Sequence, residues 1–263
     1  MSSIPPVSVV VPCHDAAATV VRAVESVAAQ SAPPVELILV DDGSRDDTAA
    51  VIDALAGRPW PFDVKTVRLA ENRGPGEARN EGIARADSAS RYVAFLDADD
   101  WWLPAKLAVQ VTWMERHADA AWTAHRCRIH GDAGSATAPD DVAAHPITRT
   151  ALLLRNIVAT PTVVARMPLE HRFRVGWRTC EDLMLWIDWL DHGHPGFMLE
   201  PPLAVLGRRP TTAGGSTGNL AAMHAGERRV LDTLAREGRL SSPAASAWRC
   251  YAGTRYLWRR IRG

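Results

Sequence analysis

No run of 18 apolar residues occurs in this 263-residue chain, so the sequence contains no helix able to span a membrane. The start of the chain, Met-Ser-Ser-Ile-Pro-Pro, has no basic segment and no apolar stretch, which excludes a signal peptide and makes a cytoplasmic location the expectation. Cysteine is scarce. Cys13, Cys127, Cys180 and Cys250 stand far apart with no C-x-x-C pair, which argues against a cysteine zinc site and a disulfide scaffold and for isolated reduced thiols. Nine histidines are scattered, and no pair has metal-ligand spacing. A net charge of zero excludes a general polyanion binder, so nucleic acid is not an expected partner. No internal repeat is present. Acid is missing from residues 244–263, where five arginines stand.

Apolar residues make up 47% and charged residues 23%, enough for one sizeable core. Residues 7–11 form a β-branched run of the kind found in strands buried on both faces. Asp15 is placed to cap a helix over 16–29. Strands at 36–40, 64–69 and 92–96 alternate with helices at 47–56 and 76–86, with Ser44 as a cap for the first of these. Such alternation predicts right-handed βαβ units and a mainly parallel central sheet flanked by helices. The second half reads as a helix over 104–117, an extended segment over 120–129 and a mobile loop over 131–145. Helices at 147–156 and 180–192 follow, then a break at Pro201-Pro202 and a short strand at 203–206. A polar loop over 208–218 precedes two helices, 218–237 and 243–261.

Ligands in open α/β sheets bind beyond the carboxyl ends of the strands. The polar residues gather at those ends: His14 and Asp15, then Asp41 and Asp42, then Glu71, Asn72 and Arg73, then Asp97, Asp99 and Asp100. Carboxylates in the run Asp97-Ala98-Asp99-Asp100 can point into one pocket and offer hard oxygen ligands to Mg²⁺ or Mn²⁺. The alternative is a solvated acidic turn. In Val40-Asp41-Asp42-Gly43-Ser44 a carboxylate after a strand can accept from a base N–H or a ribose hydroxyl, or merely cap the next helix. Arg73 and Arg79, near Gly74 and Gly76, can meet phosphate oxygens or pair with a nearby acid. Glu181-Asp182 opens an apolar helix, where burial can raise a carboxyl towards a general base, or the acids can simply complement the helix dipole. His125 and His130 are candidates for acceptor contacts. Trp101, Trp102 and Trp177 flank the acidic motifs and can offer ring faces to sugars, or fill the core.

The ordered set Val-Ser-Val-Val-Val-Pro, Val-Asp-Asp-Gly-Ser, Asn-Arg-Gly-Pro-Gly-Glu-Ala-Arg-Asn, Phe-Leu-Asp-Ala-Asp-Asp and Glu-Asp with Trp186 four residues on closely resembles family 2 glycosyltransferases of the GT-A fold, over residues 4–197. The resemblance implies an inverting transfer of a single sugar from a nucleoside-diphosphate-sugar to an acceptor hydroxyl, the acceptor being a glycan, a lipid-linked saccharide or a small molecule. Pro12 and His14 would border the nucleoside pocket, Asp42 would contact the base with Asp41 beside it, and Arg73 and Arg79 would lie near the nucleotide. Asp97, Ala98 and Asp99 fall on the family's D-x-D, with Asp99 and Asp97 as ligands for Mn²⁺ or Mg²⁺. Asp182 matches the catalytic base. Arg208 and Arg209 resemble a region that closes over the diphosphate. Trp102, Trp177 and Glu181 would face the acceptor. One departure stands at Cys13-His14-Asp15, where the family often has Tyr-Asn. The Gln-x-x-Arg-Trp motif of processive synthases is missing, which favours a single transfer.

These readings divide the chain into a catalytic domain over 1–217, with a nucleotide-binding half (1–103) and an acceptor-binding half (104–217), and a helical extension over 218–263. A non-catalytic nucleotide- or glycan-binding protein on the same fold is the alternative, and a nucleotidyltransferase a third. The extension's Trp248, Tyr251, Arg255, Trp258, Arg259 and Arg262 could touch an anionic membrane surface, or form a helix packed on the domain with a solvated arginine face. A homodimer is compatible with the sequence.

Overall fold

The computed structural model describes residues 4–130, 142–207 and 219–262. Strands Val7–Cys13 (β1), Glu36–Asp41 (β2), Asp63–Arg68 (β3) and Tyr92–Phe95 (β4) pair in parallel in the order β3-β2-β1-β4. Successive side chains of β1 point to opposite faces, so Val9 and Val11 enter one core cluster and Val10 the other. Helices Val20–Ala28 (α1) and Thr48–Ala56 (α2) supply Val20, Val24, Val27, Ile52 and Leu55 to the first cluster. Helix Pro75–Ala84 (α3) supplies Ala78 and Ile83 to the second.

Beyond β4 the sheet turns mixed. Trp101–Trp102 (β5), Trp122–Ile129 (β6), Ala144–Pro146 (β7), Val164–Arg166 (β8) and Gly196–Leu206 (β9) complete the order β3-β2-β1-β4-β8-β6-β9-β5, with β7 paired to β9. β8 is antiparallel to β4 and to β6, while β6 and β9 run parallel. The expected parallel sheet is thus complete in the first hundred residues, while the second half mixes the parallel β6–β9 ladder with antiparallel β5, β7 and β8. Pro201 and Pro202 do not end a segment, as the sequence suggested. β9 passes through them because its ladder to β6 slips opposite His125 and Arg126, where missing N–H groups are tolerated.

Helix Lys106–Arg116 (α4) and the short helix Arg149–Leu154 (α5) flank this half, α5 being capped by the Thr148 hydroxyl, which accepts from Ala151 N. Glu181–Asp191 (α6) buries Leu183, Met184, Trp186, Ile187 and Trp189. Leu220–Arg236 (α7) adds Val230 and Leu234 to the cluster containing Trp186. The helical extension thus shares its core with the catalytic half. Ser242–Arg262 (α8) lies on α7 through Ala245 and Ala252 and through ion pairs Arg249–Asp232 and Arg255–Glu227. All four cysteines are free thiols. No helix among the described residues is long and apolar enough to cross a membrane.

Two local expectations shift at the β1 edge. α1 starts at Val20 rather than at 16, because Asp15 has φ 47° and its carboxylate accepts from Arg45 N at 2.8 Å instead of capping a helix. Ser44 likewise receives the Asp15 N–H, and α2 starts at Thr48, whose N–H donates to Asp46. These bonds stitch the loop after β1 to the loop after β2.

Candidate active site

Cys13 pairs with Asp41 at the carboxyl ends of β1 and β2, so both loops open on the same edge. Between them lies a cleft of 810 Å³, lined among others by His14, Asp41, Gly43, Arg45, Arg68 and Arg178. Gly43 has φ 63°, and a Cβ there would meet the backbone of Glu71 at 2.6 Å, so this turn admits only glycine. His14 Nδ1 lies 2.9 Å from the Asp42 carbonyl, which can only accept, so Nδ1 donates, and Nε2 stands 3.7 Å from the Asp15 carboxylate. Pro12, opposite Val40, precedes this turn.

The neighbouring acids have different duties from those expected. The Asp42 carboxylate is buried and accepts from Arg73 N at 2.7 Å and Gly74 N at 2.8 Å, so it fastens the loop after β3. Asp41, whose Oδ1 accepts from Ser44 N at 3.0 Å, is the acid of this pair that lines the cleft. The side chain of Arg73 turns towards Glu81, 4.0 Å away.

Arg79 also departs from expectation. It is buried, and its guanidinium donates to Asp97 at 2.5 Å and to Glu181 at 3.3 Å rather than standing open to phosphate. The fork geometry of arginine suits this bridge between two carboxylates. Residues 18 and 102 positions away along the chain are thereby joined. The acidic turn and the opening of α6 form one cluster.

In the turn itself, Asp100 N donates to the Asp97 carbonyl at 3.0 Å, and Ala98 is buried. The Asp100 carboxylate accepts from Gly207 N at 2.8 Å, anchoring the end of β9. Burial, reinforced by the charges of Asp97 and Asp99, pushes the Asp100 carboxyl up to about 8. Arg22 donates to the Asp99 carbonyl at 3.1 Å and stacks 3.8 Å over Trp101. This donor set fits a hard divalent cation: it is all oxygen and it concentrates negative charge at one turn. Asp97 engages Arg79 through Oδ1 alone among its described contacts. Arg208 and Arg209 lie outside the described residues.

Across the cluster, Cys180 adopts a left-handed conformation, φ 55°, immediately before α6. Such strain in a non-glycine residue persists only where its surroundings enforce it. Here α7 does so: the Cys180 thiol lies 3.7 Å from the Met223 carbonyl, and a Cβ on Gly226 would meet Thr179 Oγ1 at 2.7 Å. Burial and the charge of Asp182 raise the Glu181 carboxyl to about 7. Asp182 is partly exposed. Its pKa is raised by burial, against the opposing pull of Leu183 N–H, of Arg79 and of Asn156, whose Nδ2 donates at 3.0 Å.

Two proposed acceptor contacts fall in the core instead. Trp102 is 2% exposed, donates its indole N–H to the Pro161 carbonyl at 2.8 Å, and has the Lys106 amine 4.0 Å over its ring. Trp177 is buried under Arg229. His125 is buried too, while His130 lies edge-on to Trp101. Sequence reasoning did not identify Arg22, Asn156 or Arg178. Arg178 donates to the Asn72 side chain at 2.7 Å and reaches the cleft from the second half of the chain. A lone Arg or Asn in a loop carries no local signal of this.

A cleft at the carboxyl edge of the parallel strands, and an acidic turn bridged by Arg79 to the acids that open α6, define a nucleotide-binding type of α/β site. A sequence profile described as Glycosyl transferase family 2 matches residues 8–161, more than half of the chain. The protein named as teichuronic acid biosynthesis glycosyltransferase TuaG, of Bacillus subtilis, is 31% identical over 202 residues, covering 76% of this chain and 78% of that one. The succinoglycan biosynthesis protein ExoO of Rhizobium meliloti is 41% identical over 121 residues, 46% of this chain and 32% of ExoO. The Escherichia coli glucosyltransferase WfaP, named for UDP-Glc and an α-D-GlcNAc-diphosphoundecaprenol acceptor, is 31% identical over 109 residues, 41% of each chain. Among solved structures, S. aureus TarS 1-349 in complex with UDP-GlcNAc superposes with a TM-score of 0.67 at 18% identity, over 88% of this chain and 66% of that one. The chain spans about a third of ExoO and just under two-thirds of the TarS fragment. The chain belongs to glycosyltransferase family 2 and has the GT-A fold.

Proposed function

We propose that this protein moves one sugar, with inversion, from a UDP-sugar to a hydroxyl of a lipid-linked saccharide, using Mn²⁺ or Mg²⁺ at Asp97 and Asp99. The observation that carries the reading is the Arg79 bridge, which brings the Glu181–Asp182 pair to the acidic turn. Its second support is the cleft at the carboxyl ends of β1 and β2, with Asp41 and His14 at its wall. TarS has been solved with UDP-GlcNAc and with UDP, and WfaP is named for a UDP-sugar donor and a diphospholipid-linked acceptor.

In this reading the nucleoside lies in the cleft and the diphosphate meets the turn at Asp97–Asp99. Asp182 accepts the proton of the acceptor hydroxyl as that oxygen bonds to the anomeric carbon. The bond from that carbon to the diphosphate oxygen breaks on the opposite face, and its electron pair leaves with UDP. A bound divalent cation would supply neutralisation of the charge on the departing diphosphate. Raising the Asp182 pKa above the ordinary carboxylate range strengthens it as a base near neutral pH. Arg79 acts as a positioning residue, since it touches the carboxylates and fixes their separation.

The lipid-linked acceptor is supported by α8. The exposed Leu257, Trp258 and Ile261 fall within about a third of the helix circumference at 100° per residue, and Arg260 borders them, while Tyr251 donates its hydroxyl to the Leu154 carbonyl of the domain. The opposite side of α8 packs on α7, so docking on the domain and contact with a membrane engage different faces. An anionic cytoplasmic leaflet matches the arginine excess. Sedimentation with anionic vesicles should be lost when Leu257, Trp258 and Ile261 are changed to Ser; equal sedimentation removes the membrane contact.

The donor-site test is titration calorimetry of UDP with Mn²⁺ present. Asp99→Ala should weaken Mn²⁺-dependent UDP binding about tenfold or more, and chelation by EDTA should do the same to the unmodified protein. Equal UDP affinity in all three cases would remove the cation from the account.

A further inference from the structure

We infer that Glu170, His171 and His194 form a second metal site, of a type suited to Zn²⁺, separate from the acidic turn. Glu170 and His171 lie between β8 and α6; His194 lies in the turn between α6 and β9. One carboxylate oxygen and one ring nitrogen from each histidine all lie within 4.8 Å of one another. The Glu170 Oε2 to His194 Nε2 distance is 3.6 Å. Bonds of about 2.0–2.2 Å in a tetrahedral zinc site place ligand atoms roughly 3.3–3.5 Å apart, so the Glu170–His194 pair already stands near ligand spacing and His171 would close in on it.

Three further observations point to a ligand rather than to chance proximity. His194 Nε2 is buried and has no hydrogen-bond partner, which native proteins seldom leave so. The backbone of each histidine is fixed from the core: Trp189 Nε1 donates to the His171 carbonyl at 3.3 Å, and Trp122 Nε1 donates to the His194 carbonyl at 3.1 Å. Such anchoring holds ligand-bearing segments in place before a metal arrives. Finally, the His192 ring packs 4.0 Å from the His171 ring, so a third histidine stands at the cluster.

Two imidazoles and one carboxylate suit Zn²⁺, Co²⁺ or Ni²⁺, whereas Mg²⁺ and Mn²⁺ favour all-oxygen sets. The two sites therefore differ in chemistry as well as position. Histidine spacing alone excluded such a site, because the second histidine and the acid come from 23 and 24 residues upstream of His194. A metal here would tie the start of the segment that carries Phe173 and Trp177 to the end of α6.

The test uses the full chain, stripped with EDTA and titrated with Co²⁺ while its visible absorption is followed. One Co²⁺ per chain with the intense bands of tetrahedral coordination is expected, also in Asp99→Ala, and excess Mg²⁺ should not displace it. His194→Ala and Glu170→Gln should each weaken Co²⁺ binding about tenfold or more, with unchanged circular dichroism. Absence of the tetrahedral spectrum from the unmodified chain, or its survival in both variants, overturns the assignment.

Discussion

Replacing Arg79 by methionine tests the bridge on which the site rests. The guanidinium is almost fully enclosed, and it meets Asp97 at 2.5 Å and Glu181 at 3.3 Å. Removing one member of a buried ion pair leaves uncompensated charge and costs about 3–5 kcal/mol. Asp97 is 30% exposed and can regain water, which favours the lower end of that range. For a chain of this length about 3 kcal/mol lowers the melting temperature by roughly 10 °C. Part of the loss comes from Glu181 losing its guanidinium partner, so Arg79→Met with Glu181→Gln should recover about 1–2 kcal/mol relative to additivity. Arg79→Lys should not rescue, because a single ammonium cannot hold both carboxylates in the fork. Urea melts of the parent, Arg79→Met, Glu181→Gln, the double variant and Arg79→Lys, with UDP release measured alongside, give the answer. An Arg79→Met protein within about 1 kcal/mol of the parent, with ordinary turnover, refutes the reasoning.

Asn156 donates to the charged form of Asp182, so Asn156→Ala should raise that pKa further; the acid limb of kcat/KM, along which the rate rises as the base loses its proton, should move to higher pH. A limb that stays in place detaches Asp182 from the proton transfer. Glu181 titrates at about 7 in the folded protein, above its ordinary range, so its contribution to stability is complete below about pH 4.5 and fades as pH rises through 7. Glu181→Gln should therefore flatten that part of the stability–pH curve, and an unchanged slope excludes it as the source. Gly226→Val would drive α7 off Thr179 and Cys180, lowering kcat with little change in UDP affinity; equal loss of both would mean that the whole fold has given way.

The parallel half of the fold was legible because strands buried on both faces read as apolar runs, as at 9–11 and 37–40. The mixed half was not. β5 and β8 are two and three residues long, too short for any period to register. β9 hides behind two prolines that its irregular ladder to β6 absorbs. At the site, the residue types were visible but not their partners. Asp41 and Asp42 are adjacent, yet the pleat sends one to the cleft and the other to the backbone of Arg73 and Gly74. Arg79 reads as a phosphate contact until Glu181 arrives from 102 residues away. Tryptophan beside an acidic motif is ambiguous in any sequence, and here burial assigned Trp102 and Trp177 to packing.

Asp182→Asn offers the most direct measurement. It keeps the size and the Leu183 contact of the side chain but removes the base. With a UDP-sugar panel and lipid-linked acceptors, kcat should fall by about 10²–10⁴ while UDP affinity stays within twofold. A kcat equal to that of the parent would contradict the assignment of the proton to Asp182, and with it the central account of this site.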